Sequence, residues 1–201
     1  MINTAVFISG GGTNLQSIID YWQQGGASYD LKLVICNQAD VYGLERAKKA
    51  GIPCVVISHK DFSSRRDFDQ AMDQHLESHG IELIALAGFM RLLSSWFVQK
   101  WSGKLINIHP SLLPAFPGLH THRKALEYGV KFSGCSVFFV DEGVDSGAMI
   151  NQAVVDVLPD DTEERLAKRV LIQEHIIFPA ALDLVAKGQV CLLDGKVITR
   201  H

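Results

Sequence analysis

Short apolar runs rich in β-branched residues alternate with amphipathic helical stretches through the first half of the chain, and this alternation restricts the fold more than any other feature. Thr4 to Ser9, Leu31 to Cys36, Pro53 to Ile57, Ile81 to Ala87 and Lys104 to His109 read as strands. Between them, Asn14 to Gln24, Gly43 to Ala50, Arg65 to Ser78 and Ser95 to Lys100 have helix composition, with Gly51, Gly80 and Gly103 as stop signals. Such alternation predicts an α/β fold with a mostly parallel sheet carrying helices on both faces. In a sheet of that kind ligands bind beyond the carboxyl ends of the strands, which singles out the loops after Ile8, Ala87 and Ile108.

The second half changes character. Ser133 to Val140 and Met149 to Val157 read as strands joined by a polar, glycine-bearing connection centred on Asp145. Asp161 with Glu164 resembles a capping box opening a long helix from about Thr162 to Ala186, which Pro179 is expected to bend. Val190 to Leu193, Asp194-Gly195 and Val197 to Thr199 read as a hairpin.

A chain of 201 residues suits one domain spanning residues 1–201. Its formal charge of -3 and the absence of a long basic block argue against a nucleic-acid partner. Cys36, Cys54, Cys135 and Cys191 are scattered without a Cys-x-x-Cys pair, the pattern of reduced thiols in a cytoplasmic protein with no structural metal. Ala5 to Ile8 is too short for a signal peptide or membrane span, so no membrane association is expected. Nothing in the chain sets an oligomeric state, and a homodimer is compatible with it.

Three places carry chemistry. Asn107 and His109 sit two apart on a strand that Pro110 stops, so both side chains point to one face while Ile106 and Ile108 turn to the other. A carboxamide and an imidazole converging there can hold an oxyanion and move a proton, as acyl transfer requires. Asp145, in the loop Asp141 to Gly147, can bring a carboxylate to that imidazole. Ser9-Gly10-Gly11-Gly12-Thr13-Asn14 joins the first strand to the first helix, where unpaired N–H groups and the helix dipole favour an anion. It lacks a Gly-Lys-Ser/Thr ending and has Leu15 where a dinucleotide fingerprint needs a small residue, so a single phosphate fits better. A tight turn without a ligand is the plainer reading of the same glycines. His109, His120 and His122 make only a weak metal set; His59, His75, His79 and His201 read as surface residues, and Glu174 as part of a polar helix face.

Taken together, Ser9 to Leu15, Ala87 to Leu93, Asn107 to Gly118, His120-Thr121-His122-Arg123, Asp141 to Gly147 and Gln173-Glu174-His175 resemble the phosphoribosylglycinamide formyltransferase family of purine synthesis. The resemblance covers nearly the whole chain. It implies a doubly wound, Rossmann-like formyltransferase fold whose amino-terminal half binds glycinamide ribonucleotide, with 10-formyltetrahydrofolate as co-substrate lying toward the second half and no metal. Carried onto this chain, it implies that Gly12, Thr13 and Asn14 bind the ribonucleotide phosphate and Glu174 its ribose. Arg65, Met90, Arg91, Leu92 and Leu93 would hold the folate, together with Asn107 and the loop residues Asp141, Glu142, Gly143, Val144 and Asp145. Asn107, His109 and Asp145 would be the catalytic set. The chain departs from the family pattern at Phe138, where a histidine is usual, and at Ser146 and Ala148.

Two other families share the Asn-x-His and Asp elements: methionyl-tRNA formyltransferase and formyltetrahydrofolate deformylase. Each carries an additional domain for which this chain has no room. A folate hydrolase, or a silent module keeping a folate or nucleotide pocket, is the alternative function.

Overall fold

The computed structural model describes residues 1–200; His201 lies outside the described residues. Nine strands and six α-helices follow in the order β1 (Ile2–Ile8), α1 (Thr13–Gln23), β2 (Tyr29–Cys36), α2 (Tyr42–Lys49), β3 (Cys54–Val56), α3 (Arg65–Ser78), β4 (Leu83–Leu86), α4 (Ser95–Lys100), β5 (Leu105–His109), α5 (Thr121–Tyr128), β6 (Phe132–Phe139), β7 (Met149–Asp156), α6 (Glu163–Ala186), β8 (Val190–Leu193) and β9 (Lys196–Thr199). A short 3-10 turn at His59–Asp61 precedes α3.

Seven strands form one sheet in the order β3-β2-β1-β4-β5-β6-β7. The strands β1 to β5 are parallel neighbours, whereas β6 and β7 join antiparallel. The alternation of β1 shows why helices cover both faces. Val6 and Ile8 pack with Leu15, Ile18 and Ile19 of α1 and with α6, whereas Ala5 and Phe7 pack with Phe68, Met72 and Leu76 of α3 and Phe97 of α4. The side to which successive strands are added reverses between the parallel neighbours β1 and β4, since β1 leads out to β2 on one side and β4 leads on to β5 on the other. This is the switch point at which open α/β sheets leave a crevice.

Three details go beyond the sequence expectations. The cap of α6 is Thr162, whose hydroxyl accepts the Arg165 N–H at 3.3 Å. Asp161 is instead taken by the Leu158 N–H at 2.8 Å and by Arg169, because its side chain turns back onto the preceding turn. Helix α5 was not expected, and α6 continues unbroken through Pro179. The terminal hairpin forms as expected, with Asp194 and Gly195 both at positive φ, as a two-residue turn of this twist requires. Among the described residues no helix is long and apolar enough to cross a membrane.

Candidate active site

The loops after β1 and β4 meet at the switch point and, with Gln38 of the loop after β2, line a cleft of about 260 Å³ through Ser9 to Asn14, Ala87, Gly88 and Met90. Ser9 ties the two loops together, its hydroxyl accepting the Met90 N–H at 2.8 Å. The N-cap of α1 is Gly12, at φ 69, and no side chain caps the helix. The first-turn N–H groups of α1 are therefore left for a ligand, at the positive end of the helix dipole.

Asn14 links this loop to α6. Its Nδ2 donates to Glu174 Oε2 at 2.6 Å, while its Oδ1 is buried without a partner. Burial pushes the Glu174 carboxyl above its ordinary pKa, and the Asn14 hydrogen bond opposes that shift. A larger groove of about 580 Å³ runs between α1 and α6 behind the loop, bordered by Arg46, Gln16 and His175. It is lined by none of Asn107, His109 or Asp145.

Strand β5 places Asn107 and His109 on the face opposite Ile106 and Ile108, which lie in the core with Val137 and Phe139. His109 is buried, with Nδ1 3.3 Å from Asp145 Oδ2 and Nε2 3.1 Å from the Phe116 carbonyl oxygen. Both partners are acceptors; a doubly protonated ring can donate to both, a neutral ring to one. The same Asp145 oxygen accepts the Gly118 N–H at 2.8 Å. Asp145 and Phe116 both have positive φ, a backbone form that non-glycine residues hold only when their surroundings fix it. Ser136 supplies part of that fixing. Its buried hydroxyl donates to the Ser111 carbonyl at 2.7 Å and accepts the Leu113 N–H at 3.0 Å, anchoring the loop that brings Phe116 to His109.

Most of the folate residues expected from sequence fall on two segments, Met90–Leu93 and Asp141–Asp145, while Arg65 lies on α3 and Asn107 on β5. Met90 and Leu92 are 67% and 58% exposed, while Leu93 and Val140 pack on the same core cluster. Gln99 of α4 donates to Glu142 at 2.8 Å, drawing the Asp141–Asp145 loop alongside. Within that loop Asp141 Oδ1 accepts the Gly143 N–H at 3.1 Å and the Ser146 hydroxyl at 2.7 Å, so Ser146 closes the turn. Arg65 opens α3 and is exposed, one turn before Asp69, whose carboxylate accepts the Ser94 N–H at 2.6 Å just beyond Leu93. Arg91 is exposed, as are Asp141, Glu142, Gly143 and Val144.

Phe138 pairs in register with Asn107 and is 2% exposed. A Cβ added at Gly147 would stand 3.1 Å from the Phe138 ring, which places that ring beside the Asp145 loop. His120 and His122 fall at the start of α5, and among the described residues no three His, Cys, Asp or Glu side chains are grouped to hold a metal ion. Sequence reasoning did not find the Phe116 carbonyl, Ser136 or Arg46. The first is a backbone group and the others depend on non-local pairings, so no local signal pointed to them.

An open, doubly wound α/β sheet with an anion-type loop at its switch point, and an Asn, His and Asp cluster one strand away, defines an α/β class that seats ligands in such a crevice. The chain belongs to the formyl transferase family, whose sequence profile matches residues 2–182. It is 43% identical over 201 residues to phosphoribosylglycinamide formyltransferase of Escherichia coli (strain K12), covering 97% of this chain and 95% of that protein. It is 53% identical to the trifunctional purine biosynthetic protein adenosine-3 of Homo sapiens over 96% of this chain, but spans only 19% of that protein. In the Drosophila pseudoobscura pseudoobscura counterpart, 56% identical over 92% of this chain, the share is 14%. The crystal structure of glycinamide ribonucleotide transformylase 1 from Symbiobacterium toebii superposes with a TM-score of 0.97 at 45% identity, covering 100% of this chain and 95% of that one.

Proposed function

We propose that the protein transfers the formyl group of 10-formyltetrahydrofolate to the amine of glycinamide ribonucleotide, a step of de novo purine biosynthesis. The observation that carries this reading is the contact of His109 with Asp145 at the end of β5, on the strand face that Asn107 shares and two strands from the uncapped Gly12–Asn14 loop. Relatives named for this activity, alike over nearly the full chain, support it.

In this reading Gly12, Thr13 and Asn14 take the ribonucleotide phosphate, and Glu174, already accepting a hydrogen bond from Asn14, takes ribose hydroxyls. The folate lies against Met90 to Leu93 and the Asp141–Asp145 loop, with Arg65 toward its acidic tail. The amine attacks the formyl carbon, and the oxyanion that forms accepts hydrogen bonds from Asn107 and from protonated His109, whose Nε2–H exchanges the Phe116 carbonyl for the oxyanion while Nδ1–H stays on Asp145. Asp145, through water, passes the proton lost by the amine to the folate nitrogen as its bond to carbon breaks. Residues 1–201 act as one domain, the amino-terminal half for the nucleotide and the carboxyl-terminal half for the folate.

The protein is taken to be cytoplasmic, to use no metal, and to engage neither nucleic acid nor membrane. Sedimentation velocity decides between a monomer and a homodimer. Incubation of purified protein with both substrates should yield formylated ribonucleotide and tetrahydrofolate in equal amounts by mass spectrometry. Formate release with no formylated amine would make the protein a folate hydrolase instead.

A further inference from the structure

The loop that this reading assigns to phosphate contains no lysine or arginine: Ser9 to Asn14 offers only backbone and short polar groups, and the other lining residues, Gln38, Ala87, Gly88 and Met90, are uncharged. Its carbonyl groups, however, are held from behind by the first turns of α2. The Gly43 N–H donates to the Gly10 carbonyl at 3.1 Å, and Arg46 Nε donates to the Gly11 carbonyl at 2.9 Å. In a trans peptide the C=O and the following N–H point in opposite directions. Fixing the Gly10 and Gly11 carbonyls toward α2 therefore turns the Gly11 and Gly12 N–H groups away from α2.

Arg46 is itself fixed. Its Nη1 donates to Gln16 Oε1 at 3.0 Å, and its guanidinium lies 4.7 Å from the Tyr42 ring centroid. The backbones approach so closely that a Cβ on Gly43 would stand 2.7 Å from the Gly10 oxygen and 2.5 Å from Ile8 Cδ1. A Cβ on Gly12 would stand 2.8 Å from the Gly43 Cα. A positive charge bonded to a carbonyl also polarises that peptide and strengthens its N–H as a donor.

We propose that Arg46 is the positioning residue of the anion loop: bonded to the Gly11 carbonyl from the far side, it orients the Gly12 amide toward a bound phosphate and supplies the positive charge that the cleft lacks. Arg46 does not touch the reacting atoms. This inference rests on the ribonucleotide reading, and its test separates the two.

Steady-state kinetics of Arg46→Met and Arg46→Lys, with folding checked by circular dichroism melts, supply the test. Each enzyme is assayed with the ribonucleotide and with its dephosphorylated riboside, and with inorganic phosphate as competitive inhibitor. Arg46→Met should raise KM for the ribonucleotide and the inhibition constant for inorganic phosphate by about tenfold or more, the usual worth of a hydrogen bond to a charged group. The maximal rate, KM for the folate and kcat/KM for the riboside should stay within about twofold of the parent. Arg46→Lys, which keeps the charge but not the planar fork, should recover part of the loss. Equal losses on ribonucleotide and riboside, or unchanged KM for the ribonucleotide, would overturn the role of Arg46 while leaving the phosphate loop standing. A parent enzyme that fails to prefer the ribonucleotide over the riboside would remove the phosphate reading, and the inference with it.

Discussion

Glu174 is a carboxylate buried at the end of a hydrogen bond from Asn14, and burial raises its pKa. Between its unfolded and folded pKa the native state holds a proton that the unfolded chain has released, so this group's contribution to stability falls as pH rises through that window. Glu174→Gln removes the buried charge. Its melting temperature should therefore gain on the parent more at pH 8 than at pH 4, while KM for the ribonucleotide rises about tenfold. A melting difference independent of pH would contradict the buried-charge account. In the proposed mechanism Asn107 and His109 act on one developing charge. Asn107→Ala and His109→Ala should each lower kcat by about 10²–10³ and combine less than additively; near-normal kcat in a folded variant would remove that residue from the mechanism. Phe138 offers no proton where the family usually has histidine. Phe138→His should leave kcat/KM within about tenfold, roughly 1.4 kcal/mol of transition-state stabilisation. A larger gain would mean that the natural chain lacks a catalytic contributor.

At the scale of elements, the β1–α1 connection is the most constrained piece of the site. Gly12 combines a positive φ with contact against α2, so Gly12→Val both strains the loop and presses on Gly43. Its expected effect is a raised KM for the ribonucleotide with folate binding nearly intact, measured by calorimetry with each ligand; equal weakening of both would indicate general misfolding. The first five strands and four helices were legible because their apolar periods and glycine stops are local. Helix α5 was not, since its N-cap His120 lies at positive φ and makes no side-chain cap hydrogen bond, leaving no capping signal in the sequence. The cap of α6 was misplaced by one residue because Asp161 and Thr162 are both competent caps, and only the pull of Arg169 and Leu158 on Asp161 decides between them. Within the site, the pairing of Asn107 with His109 could be read from strand period alone. The Asp145 contact has no such local signature, because it depends on a loop whose shape is held by Asp141 and Ser146.

At the scale of the whole molecule, the proposed nucleotide loop follows β1 and the proposed folate segments follow β4 and β6, so the folate segments fall on both sides of β5 and the proposal has both substrates bound before the formyl group moves. Three of the four thiols are poorly suited to carry it in between: burial raises Cys36 and Cys54 and pushes Cys135 up to about 12. The proposed route is accordingly direct transfer in a ternary complex, in contrast to a formyl-enzyme relay. The most direct measurement is an initial-velocity matrix in which both substrates are varied and loss of 10-formyltetrahydrofolate is recorded. The account predicts intersecting double-reciprocal lines and negligible folate turnover without glycinamide ribonucleotide. Parallel lines, or full turnover in the absence of the amine, would contradict it.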